Sequence, residues 1–145
     1  MSKKKGNKAE WPETEVLTEE CLRAHAGEVL GYVHFTLKSS DNKRGRDFWI
    51  KLAAFANSLC LQVKTSDNTE TAGFVLPLPD PLPREAKISG RIRNLIDKHF
   101  KKHPDVPCIV FVGKPVHGKD KVGVIEDVWR EIKKIFAEAE KRSLV

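Results

Sequence analysis

At 145 residues, with 40% apolar and 32% charged side chains, the chain has the size and composition of one ordinary globular domain. No apolar run approaches the length of a membrane span, the lysine-rich start lacks the apolar core of a secretory signal, and Cys21, Cys60 and Cys108 form no CxxC pair, so a membrane protein, a disulfide framework and a zinc ribbon are all unexpected. The net charge of +6 favours polyanionic partners, and free thiols in a reducing, cytoplasmic compartment are the expectation.

Residues 1–11 read as a disordered basic tail, and 12–145 as a single domain. Pro12, followed by Glu13 and Glu15, suits the start of a helix over about 13–26, with Val16, Leu17, Cys21, Leu22 and Ala26 at helical spacing and Gly27 as its stop. Val29 to Leu37 is β-branched and aromatic and predicts a strand; residues 39–45 have loop chemistry. Residues 48–55 carry two periods at once. Phe48, Leu52, Phe55 and Leu59 have helical spacing, whereas Phe48, Ile50 and Leu52 alternate as a strand does. Leu59 to Ser66 alternates cleanly. A short strand follows over 74–78, then a proline-rich connection through Pro77, Pro79, Pro81 and Pro83. A helix over 84–102, an apolar central strand over 107–112, a polar loop and a last helix over about 123–142 complete the chain.

In the strand 59–66, Gln62 and Lys64 project from one face, and a preceding antiparallel strand would bring Asp47 beside them. A carboxylate, an amide oxygen and an ammonium at one point can hold a divalent cation and orient a water. Lys38, Lys43, Arg44 and Arg46 surround Asp47, and Arg91, Arg93, Lys98, Lys101 and Lys102 form a second basic group.

With 47–53 as a strand, the order of elements resembles the core of the PD-(D/E)XK nuclease superfamily. The residues carrying the resemblance are Asp47 in GRDFWI and Gln62 and Lys64 in LCLQVKTS, over residues 13–112. It implies an α/β restriction-endonuclease-like three-layer core (α-β-β-β-α-β) with a C-terminal helix, and metal-dependent phosphodiester hydrolysis or a nuclease-derived DNA-binding domain. It further implies Mg²⁺ or Mn²⁺ held by Asp47, the Gln62 amide oxygen and the Val63 carbonyl, with Lys64 positioning the water. A glutamate of the first helix, Glu20 or Glu19, would complete the site. Lys43, Arg44, Arg46, Arg91 and Arg93 would contact phosphates, DNA being the favoured nucleic acid. Gln62 replaces the usual glutamate and removes one charge from the ligand set. A domain this small acting on duplex DNA often needs a second active site, so a homodimer is among the expected assemblies.

A helix over 47–58 would instead give βαββαβ, a ferredoxin-like α+β sandwich. Its function would be non-catalytic: RNA binding, with Tyr32 and Phe74 as stacking aromatics, or protein interaction. His99 and His103, at the end of a lysine-rich helix, read as cations favoured by the helix C-terminus. Residues 113–120 resemble a phosphate loop but place Asp120 where Ser or Thr is needed.

Overall fold

A computed structural model describes residues 12–36, 38–66, 71–78, 90–113 and 121–142, without the side chains of Arg91 and Ile92. The basic tail, residues 84–89 of the helix expected over 84–102, most of the proline-rich connection and the 114–120 loop lie outside the described residues. In chain order the elements are α1 (Glu13–Ala24), β1 (Val29–His34), α2 (Ser40–Lys43), β2 (Phe48–Leu52), β3 (Leu59–Ser66), β4 (Ala72–Val75), α3 (Gly90–Lys102), β5 (Cys108–Gly113) and α4 (Lys121–Arg142).

The strands form one mixed sheet in the order β1-β2-β3-β5-β4, with β3 and β5 parallel and the other pairs antiparallel. β5 is buried along its whole length because both of its faces are covered. Cys108, Val110 and Val112 point into the larger core beside α1 and α4, where Leu17, Leu22, Val128 and Ile132 meet Phe48, Ile50, Leu61 and Val63. Ile109 and Phe111 point the other way, against Phe74, Leu76 and Ile96 of α3. Helices thus cover both faces of an α/β sheet, a layout compatible with the restriction-endonuclease-like core.

The two-period segment resolves as a strand. Phe48, Ile50 and Leu52 are buried on one side, and β2 pairs with a neighbour on each edge. The helical coincidence ends in a turn after Leu52, where the Lys51 ammonium donates to the Phe55 and Ala56 carbonyls at 2.6 and 2.8 Å. The βαββαβ order needed a helix over 47–58, so it is not the order observed; Phe74, expected as an open stacking platform, is 7% exposed beneath α3. The 39–45 loop contains one helical turn, because the Ser39 hydroxyl accepts from the Asp41 amide at 3.1 Å and caps it. β4 is shorter than the 74–78 strand expected and begins two residues earlier.

All three cysteines are free. Burial pushes the Cys21 and Cys108 thiols up to about 12, so both act as apolar packing groups rather than nucleophiles. Among the described residues no helix is long and apolar enough to cross a membrane.

Gly73 lies at a close approach of α4 to β4. A Cβ there would lie 2.5 Å from Ile135 Cδ1, 2.9 Å from its Cγ1 and 3.3 Å from the Glu131 carbonyl. Gly73→Ala is therefore expected to destabilise the fold by ~1–3 kcal/mol, the usual range for overpacking, as a lower urea midpoint with an unchanged slope.

Candidate active site

The sheet places Asp47 at a junction. Its N–H donates to the Leu61 carbonyl at 2.9 Å on one side, and its carbonyl accepts from the Phe35 N–H at 3.0 Å on the other. The backbone of residue 47 is thus tied to both neighbouring strands just before β2 begins. The side chain turns into the gap beside β3 and is 4% exposed. Oδ2 accepts from the Val63 N–H at 2.8 Å, and Oδ1 from the Asn42 amide at 3.3 Å. The Val63 N–H is thus taken up by the carboxylate; the resemblance assigns a different atom of that residue, its carbonyl, to the cation.

Burial dominates the Asp47 electrostatics and pushes its carboxyl up to about 7. The Val63 hydrogen bond opposes this, the nearby Glu15 carboxylate adds to it, and Lys64 and His34 pull it back. Asp47 is therefore coupled to a glutamate on one side and to the expected lysine on the other.

That glutamate is Glu15, not Glu20 or Glu19. Glu15 sits on the buried side of α1, 6% exposed, and its Oε1 lies 2.9 Å from His34 Nε2. His34 stacks on Phe48 with ring centroids 4.3 Å apart. Glu19 lies behind, 3.8 Å from His34 Nδ1, accepting from the Tyr32 hydroxyl at 3.2 Å and pairing with Arg23. Glu20 pairs through Oε2 with Lys121 at 2.8 Å, and its Oε1 is buried without a hydrogen-bond partner. Tyr32, proposed as a stacking aromatic, is thus occupied with α1. α1 is also fastened to β3 near Lys64 by the Thr14 and Thr65 hydroxyls, 3.2 Å apart. Glu15 reads in the sequence as a first-turn charge. The missed signal is that it shares the face of Thr18 and Leu22, where an acid is unexpected unless partnered.

On the other face of β3, Lys64 is exposed and Gln62 half-buried, with the amide oxygen buried and without a hydrogen-bond partner. Opposite them His99 is buried and His103 half-buried. The helix-dipole expectation needs protonated rings. His99 is instead pushed down to about 4, by burial first and then by His103 and Lys64, so it is neutral near pH 7. His103 is lowered by burial, Lys102 and Lys64.

Of the basic residues near Asp47, Lys43 and Arg44 are exposed. Arg46 is not free: it pairs with Asp41 at 2.8 Å and Asp105 at 3.8 Å. Arg93 is half-buried on α3, and the Arg91 side chain lies outside the described ones.

Among the described residues no three His, Cys, Asp or Glu side chains gather as a metal site. The Glu15 carboxylate acts against ionisation of Asp47, and the Gln62 amide oxygen, next to Val63 in the chain, is buried and unpartnered. Comparison with family models, curated proteins and solved structures finds no match to this chain.

A raised carboxyl pKa has a definite sign in stability. Between its ordinary 3.8 and about 7 the folded chain keeps a proton that the unfolded chain has lost, so stability falls as pH rises through that window. Asp47→Asn removes the buried charge and keeps an acceptor for Val63. It is expected to be more stable than the parent at pH 8 by a few kcal/mol, at about 1.4 kcal/mol per pKa unit, with the difference shrinking towards pH 4. Thermal melts across that range, without added metal, check this; a pH-independent difference would show that burial does not control the group.

Proposed function

We propose that the chain is a metal-dependent nuclease of the restriction-endonuclease-like kind, hydrolysing phosphodiesters in DNA. One observation carries this reading: a buried carboxylate, Asp47, held at the β2–β3 junction and coupled to both Glu15 and Lys64. A fold alone gains little from burying an acid whose ionised form is disfavoured. A site that must hold a cation and work on a phosphate gains directly.

Asp47 and Glu15 would hold Mg²⁺ or Mn²⁺; Gln62, whose amide oxygen lies beside Gly45 and His103, stands apart from that pair. When bound, the ion supplies Lewis-acid stabilisation for charge on the phosphate. Lys64, exposed on β3, orients water and offsets negative charge beside the scissile group. His34 holds Glu15 in place through the 2.9 Å contact. Lys43, Arg44 and Arg93 receive neighbouring phosphates, which makes affinity fall with salt. Arg46 serves instead to brace the segment that enters β2. A cytoplasmic location and pairing of two copies on duplex DNA belong to the same proposal.

Replacement of an acidic ligand by Gln62 supports a second reading, a nuclease-derived domain that binds DNA without cutting it. A cleavage assay on plasmid and linear DNA in Mg²⁺ or Mn²⁺ separates the two. Cleavage is expected, falling by about a hundredfold or more in Asp47→Ala, Glu15→Ala and Lys64→Ala while all three variants remain folded. Salt-sensitive binding with no cleavage in either metal would leave the binding domain; undiminished cleavage in Asp47→Ala and Lys64→Ala would remove the mechanism.

A further inference from the structure

The α3-facing side of β3 carries polar atoms that the carboxylate pair does not use. His99 and His103 stand one helical turn apart, with ring centroids 5.0 Å apart and planes inclined by 47°. His99 is 5% exposed, and neither of its ring nitrogens has a hydrogen-bond partner. The Gln62 amide oxygen is buried and equally unpartnered. That oxygen and His103 Cγ each lie 2.7 Å from where a Cβ on Gly45 would stand, and Gly45 has φ +87°. Glycine at 45 is what permits the amide and the ring to close on the same spot. A buried polar atom left unpaired costs ~1–3 kcal/mol, so several in one place mark a position that gains from an occupant.

We propose that His99 and His103, with the Gln62 amide oxygen, form a binding site for a borderline divalent transition ion of the Zn²⁺ or Co²⁺ class, which ties α3 to β3. Two histidines at i and i+4 on one helix face can chelate a single ion. Imidazole nitrogen prefers Zn²⁺, Co²⁺, Ni²⁺ or Cu²⁺ to Mg²⁺, so this site and the carboxylate site select different metals. Burial pushes the His99 ring down to about 4 and lowers His103 as well, where a hydrogen bond to the Arg44 backbone opposes the shift. Lys64 and Lys102 are the cations that act on these rings, and both are exposed, so solvent screens their repulsion of the ion. The site does not rest on the nuclease reading.

The test is a titration of the full chain with Co²⁺, followed by its visible absorption, and with Zn²⁺ by calorimetry, in excess Mg²⁺ to occupy hard oxygen sites. A single ion is expected to bind the parent and Asp47→Asn alike. Affinity is expected to fall by about tenfold or more in His99→Ala and in His103→Ala. Should buried His99→Ala fail to fold in a thermal melt, His103→Ala, at a half-buried position, carries the test. Unchanged affinity in His103→Ala, loss of binding in Asp47→Asn alone, or no binding to the parent (a bridging water then being the occupant) would each overturn the site.

Discussion

The hydrogen bond from the Val63 N–H to the Asp47 carboxylate is the constraint around which the candidate site is arranged. Two antiparallel strands ordinarily satisfy one another's backbone groups to the end of their pairing. Here β2 has given out while β3 continues, and a side chain takes the amide that a neighbouring strand would have taken. The exchange spares Val63 an unpaired buried N–H, but it places a carboxyl where burial disfavours its charge. The segment upstream makes the placement firm. Arg46 is pinned by Asp41 and Asp105, and Gly45 takes a left-handed turn. Residue 47 is therefore delivered to the junction by the chain on both sides of it.

Much of this was legible from residue patterns, because a half-buried strand declares its faces. The alternation survives over 59–64, where Leu59, Leu61 and Val63 enter the core and Gln62 and Lys64 take the other side; at the strand end Thr65 is exposed and Ser66 buried. Helix lengths were less exact, since ends depend on caps and packing that periodicity does not contain. The segment at 48–55 could not be read locally. Its helical spacing is real, but two flanking strands with free edges decide in favour of β2, a choice made by residues 29–34 and 59–61.

The polar residues were harder, for a related reason. Glu15, Glu19 and Glu20 lie on the same helix, and distance along the chain from Asp47 does not rank them. The rotation of α1 against the sheet does, turning Glu15 inward to His34 and leaving Glu20 to Lys121. A helix C-terminus suggests solvent around His99 and His103. In the folded chain that end of α3 lies against Gln62, and burial reverses the preferred protonation of His99.

β3 thus presents different chemistry on its two sides. Towards α1 lie carboxylates, a histidine and hydroxyls, ordered by hydrogen bonds into the core; towards α3 lie neutral imidazoles, an amide and an exposed ammonium. Carboxylates and the imidazoles of His99 and His103 thus lie on opposite sides of a single strand. Asp47 feels both, being coupled to Glu15 across one side and Lys64 across the other. Packing needs alone explain neither group, since apolar side chains would avoid both the buried carboxyl on one side and the unpaired buried atoms on the other. Where local rules are broken together at one point of an otherwise consistent fold, chemistry rather than stability is the stronger explanation.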